Sequence, residues 1–290
     1  MARYDAERVG VAPWLLSGPA LLVFIALLLA PLLLTAVLSL NLFSDTDGVV
    51  PSYSLGNYLE VFRDDYFHEI FLRTGGMALA VTVLCVLLGI PETIIIARMA
   101  PRWRSLFLLV VLGPLLISVV VRTLGWAILL GNNGLINDAL QALGITEQPV
   151  KMLFTQVGVV IALTHVLVPF MVIAVWATLQ RLDLQVEWAG LSLGASRLTV
   201  FRRIILPQIM PGVLSGSIIV FALAASAFAT PAIIGGRRLK VVATAAYDEF
   251  LGTLNWPLGA AIAMLLLLAN LIIILGCSKL AERRFKQVFE

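Results

Sequence analysis

A bundle of about six membrane-spanning α-helices is the fold that this sequence predicts, and three observations predict it. Of the 290 residues, 60% are hydrophobic and only 13% are charged, where an average soluble domain carries about 25% charged residues. The mean hydropathy is +1.00. The apolar residues are gathered into runs near or above the ~18–20 needed to cross a hydrocarbon core of about 30 Å. Every exposed position of a soluble protein must face water, and this supply of charge cannot cover such a surface. A soluble domain is thereby excluded.

The runs fall near 14–40, 72–97, 105–130, 154–179, 211–235 and 257–279. Backbone N–H and C=O groups cannot be left open in lipid, so each span is a helix or part of a closed barrel. Runs this long, without period-two alternation, exclude the barrel. The first run exceeds the 7–15-residue core of a cleaved signal and is expected to be a retained helix. The chain reads as one transmembrane domain, 1–290, with no convincing internal repeat. The net charge of +3 is small, and its cations sit in short turns with no interleaved aromatics, so nucleic acid is not an expected partner. Cys85 and Cys277 lie inside apolar runs and read as small buried hydrophobes. His68 and His165 are too few and too far apart for a metal site, and none is expected.

Lys and Arg in the short loops set the orientation. Arg3 and Arg8 precede the first span, and Arg98, Arg102 and Arg104 join the second to the third. Arg181, Arg197, Arg202 and Arg203 separate the fourth from the fifth, and Lys279, Arg283, Arg284 and Lys286 follow the sixth. These segments are expected in the cytoplasm, which puts both termini there too. Arg237, Arg238 and Lys240 resist the rule, since they must lie outside. The loop at 41–71 is acidic, and Pro51 to Phe67 is expected to carry a short surface helix. Asn132-Asn133-Gly134 signals a turn, with a short amphipathic helix from Leu135 to Leu143 after it.

The segment 181–210 carries the most information. Ala189, Gly190, Gly194 and Ala195 allow close backbone approach, Ser196 is placed to cap a short helix, and Pro207 and Pro211 are expected to end it. The expected shape is two short helices with a tight turn at Gly194, a piece suited to docking into a groove on a partner. An ordinary amphipathic surface helix is the plainer alternative.

The spacing resembles the loop of permease subunits of ATP-binding-cassette (ABC) importers: Glu-Ala-Ala, three residues, Gly, nine residues, Ile, one residue, Leu-Pro. Here Ala189, Gly190, Gly194, Ile204, Leu206 and Pro207 fall in register. Trp188 stands at the Glu position and Glu187 is one residue early, a rotation of about 100° on a helix. The stretches Val121 to Leu130, Gly134 to Asn137, Met152 to Thr155, Leu167 to Val172 and Asn255 to Ala261 extend the likeness. Among these permeases the chain looks most like the B-like subunit of the spermidine/putrescine (Pot) type. The resemblance implies a six-helix MetI-like (type I importer) bundle in the cell inner membrane. It implies four kinds of partner: a second permease subunit, two ATP-binding subunits, a periplasmic solute-binding protein and a small amine-bearing substrate. It also implies that the loop docks on the ATPase. No G-x-x-x-x-G-K-[ST] run is present, so ATP and Mg are expected in the partner and not in this chain.

Ionisable groups within spans are costly and mark pathways or pairings. Glu92, beside Pro91, would attract a cationic substrate or pair with Arg98. Arg122 reads as closing a helix terminus or pairing with an acid, and His165 as a satisfied core residue or a path-lining one. Ser226, Phe228 and Thr230 precede the break at Pro231 and would open a passage. Tyr247, Asp248 and Glu249, with Trp256 after them, offer carboxylates beside aromatics to an ammonium ligand; a solvated loop face is the alternative. The competing function is a stand-alone secondary transporter or channel, or an ABC permease for a different small solute.

Overall fold

A computed structural model describes residues 11–181 and 184–289. Among them, five helices are long and apolar enough to cross a membrane, and a bent helix pair supplies a sixth candidate. The chain separates into two compact units, one of 1–63 with 246–264 and the other of 64–245 with 265–290.

In the smaller unit, α1 (Val11–Leu38) is apolar over its whole length, and none of its membrane window is buried. A hairpin of β1 (Leu42–Ser44) and β2 (Gly48–Val50), which hydropathy did not signal, pairs Leu42 with Val50. It is followed by α2 (Gly56–Arg63), the short helix expected between Pro51 and Phe67. Asn57 of α2 is buried and donates through Nδ2 to the carbonyls of Ser39 and Asn41, both at 2.8 Å, which closes the turn after α1.

The larger unit is built on α3 (Asp65–Arg98), α7 (Gln156–Leu179) and α10 (Leu206–Ala225), which pack on one another more extensively than any other elements. Their shared core includes Val81, Cys85, Leu163, Met171, Ile209 and Val220. Small residues permit this closeness, as is usual where lipid offers no hydrophobic drive. A Cβ on Gly212 of α10 would lie 2.3 Å from Thr178 Oγ1 and 2.6 Å from the Ala174 carbonyl of α7.

Contacts along these helices fix their directions. Cys85 Sγ donates to the Thr164 carbonyl, and Gly89 abuts Met171, so α3 and α7 run parallel. At one end Arg98 meets Glu187, which lies just beyond α7. At the other end Phe154 N–H donates to the Ile234 carbonyl, and Val242 N–H donates to Thr74 Oγ1. Residues 98 and 154 therefore sit at opposite ends of the core, and the chain between them has to cross from one to the other.

That crossing is not the straight 105–130 helix expected from hydropathy. It consists of α4 (Pro101–Leu112), a 3₁₀ turn over Gly113–Leu116, and α5 (Val119–Leu129), with a 99° bend between the two halves. Pro114 removes a backbone donor, and Ile117 and Ser118 are extended (ψ 140° and 133°). The helix α6 (Leu135–Ala142) follows, as the turn signal at Asn132 to Gly134 implied.

Two more boundaries differ from expectation. Pro207 and Pro211 do not end a helix: a π-helical stretch over Phe201–Ile205 runs into α10, and both prolines lie inside the continuous path. The Leu206 N–H reaches back to the Phe201 carbonyl, and this wider turn accommodates the missing Pro207 donor. The fifth span also stops at Ala225 rather than 235; Ser226 leaves the helix, and Pro231–Gly235 forms a separate π turn. After α11 (Val242–Leu251), α12 (Trp256–Phe289) begins with Pro257 in its first turn and Asn255 Oδ1 accepting from Leu258 N–H. Cys85 is buried as expected. Cys277 is exposed, on a stretch of α12 where Leu271, Ile272 and Leu275 are exposed as well.

Candidate functional site: a docking segment and the polar groups of the core

The segment 184–205 folds as two short helices, α8 (Leu184–Ser192) and α9 (Arg197–Val200), with α9 continuing into the π stretch. The turn between them is fully specified by its backbone. Gly194 has φ +83°, its N–H donates to the Leu191 carbonyl, and Ala195 N–H donates to the Gly190 carbonyl. These are the two bonds of a Schellman cap, in which glycine holds the left-handed position without a Cβ clash. Ser196 then caps α9, its Oγ accepting from Thr199 N–H at 3.2 Å. Gly190 lets α8 lie against α9 and the π stretch, since a Cβ there would meet Ile204 Cδ1 at 2.9 Å and Val200 Cγ2 at 3.3 Å. Behind them Val200 and Ile205 are buried, while Ala189 and Pro207 face outward and Leu206 is half-buried.

The one-residue offset at Glu187 and Trp188 now has a geometry. Glu187 turns back to the core, where its Oε1 accepts from Arg98 Nη2 at 2.8 Å. Trp188 turns the other way and is 68% exposed. Leu193, 88% exposed, and Leu198 are open as well, so the segment presents apolar side chains ringed by the cations Arg197, Arg202 and Arg203. Arg104 fastens the adjoining turn by donating to the carbonyls of Ala97 and Met99.

Within the membrane-spanning part of this unit, the structure gathers some candidate residues and separates others. Glu92 and His165 line one cavity of about 910 Å³ together with Trp126. Trp126 Nε1 donates to His165 Nδ1 at 3.1 Å, with the rings edge to face, so a neutral His165 carries its proton on Nε2. Sequence separation hid this pair. Arg98, the alternative partner of Glu92, is engaged by Glu187 instead. Arg122 finds neither an acid nor a helix terminus: its Nε and Nη1 are enclosed without an acceptor among the described residues. That corrects the expected pairing, since no carboxylate among the described residues makes an ion pair with Arg122.

Thr230 is buried and structural in its contacts. Thr123 Oγ1 donates to the Val119 carbonyl, so Thr230 is the donor in the 3.1 Å bond between the two hydroxyls. Ser226 Oγ bonds back to the Ala222 carbonyl and Phe228 is partly exposed, at the point where the fifth span breaks. In the smaller unit Tyr247 and Trp256 are exposed, and the Glu249 carboxylate accepts from Thr253 Oγ1 at 2.6 Å. Asp248 accepts at its backbone carbonyl from Gly252 and Thr253. Tyr247, Asp248 and Glu249 belong to the C-terminal part of α11, and Trp256 opens α12.

The described residues thus form a multi-helix bundle of candidate membrane spans with a pair of short helices between two of them. Residues 103–286 match the family described as "Binding-protein-dependent transport system inner membrane component", and the chain belongs to that family: it is a multi-pass permease subunit of an ABC importer. It is 32% identical to the spermidine/putrescine transport system permease protein PotB of Escherichia coli over 222 residues, 77% of this chain and 80% of the relative. It is also 35% identical to the molybdenum transport system permease protein ModB of Mycobacterium tuberculosis over 201 residues, 69% and 74% of the two chains. Its fold is shared with a chain of a bacterial alginate ABC transporter solved with an alginate pentasaccharide-bound periplasmic protein. The TM-score is 0.73 at 19% identity, over 94% of this chain and 96% of the other.

Proposed function

We propose that the chain is one half of the translocation path of a polyamine importer of the bacterial inner membrane. In this reading it pairs with a second permease subunit, takes its energy from two ATP-binding subunits that hold ATP and Mg, and receives cargo from a periplasmic binding protein. Both termini and the Arg98 end of the core lie in the cytoplasm, which agrees with the cations at 98–104, 181–203 and 279–286. The segment 184–205 docks on the ATPase. Its exposed Trp188 and Leu193 enter a groove there, and the Glu187–Arg98 pair ties α8 to the end of α3. An aromatic anchor in a pocket, ringed by charge, is the usual form of a small energetic centre at an interface.

The polyamine cargo is carried by one observation, the likeness to spermidine/putrescine permeases over more than three quarters of the chain. A second reading, a molybdenum cargo, is favoured by the ModB likeness and by the unpaired Arg122. The assembled transporter in proteoliposomes separates them. ATP-driven uptake of radiolabelled putrescine supports the first reading, and uptake of molybdate without putrescine supports the second. Uptake by the chain alone down an ion gradient would instead make it a secondary transporter.

A further inference from the structure

The cavity walled by α3, α4, α5 and α7 has a chemistry that its neighbours do not satisfy. Its volume, about 910 Å³, is within the usual range of small-molecule sites, and its lining is apolar apart from a few groups. Glu92 is the one carboxylate of that lining, six residues from the end of α3 and on the same face as Leu88 and Ile95. Among the described residues Glu92 makes no hydrogen bond and no ion pair. The three nearest cations along the chain are engaged elsewhere: Arg98 with Glu187, Arg102 over the Trp103 ring at 5.8 Å, and Arg104 with the carbonyls of Ala97 and Met99. A carboxylate at this depth costs several kcal/mol unless a cation meets it.

The other polar members of the wall do not supply that cation. His165 Nδ1 is filled by the Trp126 indole N–H, which holds both rings in place and leaves the Trp126 ring against the cavity. The lining therefore offers one carboxylate, one fixed aromatic ring and apolar walls such as Leu84, Phe107 and Val168, while Arg122, whose charge is felt at His165, is not part of that lining. A ring face and a carboxylate are complementary to an ammonium group, and the walls to a hydrocarbon body.

We propose that this cavity binds an organic ammonium ion carrying an apolar body, with Glu92 as its counter-ion and Trp126 as its aromatic wall. The inference rests on the importer reading for its cargo, an amine passing through the permease with one charged end at Glu92 and its methylenes along the wall.

The test uses the complete transporter in proteoliposomes and dicyclohexylcarbodiimide, a hydrophobic reagent that adds a carboxyl group across its C=N bond and keeps it as an N-acylurea. Mass spectrometry is expected to find the adduct on Glu92, absent from Glu92→Gln, and n-hexylammonium is expected to slow its formation several-fold where n-hexanol does not. Equal protection by n-hexanol would show an apolar cavity without charge selection and overturn the proposal. So would unchanged labelling in the presence of the amine. Absence of the adduct while other carboxyls react would place a cation of the second permease over Glu92, with the same result. Putrescine uptake is read in parallel. If uptake fails while protection holds, the cargo reading falls and the cavity stands; if uptake proceeds with Glu92 unprotected, the reverse holds.

Discussion

Gly194 and Glu187 show how single residues set the segment between α7 and α10. At Gly194 the constraint is the backbone, because φ is +83° and no atom lies within 4 Å of where a Cβ would stand. Gly194→Ala is expected to cost about 1–2 kcal/mol through that angle alone. Gly194→Asn, which tolerates the left-handed region, is expected to retain more uptake than Gly194→Ala when both are measured at equal expression. Gly194→Trp adds bulk to the docking face and is expected to abolish uptake while membrane insertion survives. At Glu187 the constraint is a charge pair with a half-exposed arginine, so its direct contribution to stability is small, about 0.2–1 kcal/mol or less after solvent screening. Its value lies in linking α8 to α3. Glu187→Arg and Arg98→Glu are each expected to lower uptake per ATP hydrolysed, and the double exchange to recover much of it. No recovery in the exchanged pair would mean that the link carries no motion.

At the scale of elements, local signals were legible and directional ones were not. The turn at Gly194, the Ser196 cap and the helix after Asn133-Gly134 follow from residue types a few positions apart, and each stands where the sequence predicts it. The 99° bend is invisible to hydropathy, which records how apolar a run is and not where it points. The rule that proline ends a helix misled at Pro207 and Pro211, because in lipid a freed carbonyl has no water to turn to and a π turn keeps the path helical. The Trp126–His165 and Arg98–Glu187 pairs join residues 39 and 89 positions apart, beyond the reach of any single-sequence pattern. Packing of α10 on α7 depends on Gly212, whose Cβ position is occupied by Thr178 Oγ1 and the Ala174 carbonyl. Gly212→Val is expected to destabilise the unit by about 1–3 kcal/mol, read as a lower thermal midpoint of the detergent-solubilised protein. An unchanged midpoint would mean that the two helices are free to separate there.

For the larger unit, the parallel run of α3 and α7 forces the bent pair to cross from the Arg98 end of the core to the Phe154 end. This predicts accessibility. In a chain with Cys85→Ser and Cys277→Ser, a cysteine placed at Asn133 is expected to react with a membrane-impermeant maleimide in intact cells. One placed at Ser192 is expected to react only after the membrane is opened. In the proposed orientation Trp188, 68% exposed, faces the cytoplasm, where the ATP-binding subunit would meet it. The most direct test is a photo-crosslinking residue, p-benzoylphenylalanine, at position 188 of the assembled transporter. A crosslink to the ATP-binding subunit is expected, weakened when ATP drives the transporter through its cycle. Crosslinks only to lipid or to the periplasmic binding protein would contradict it.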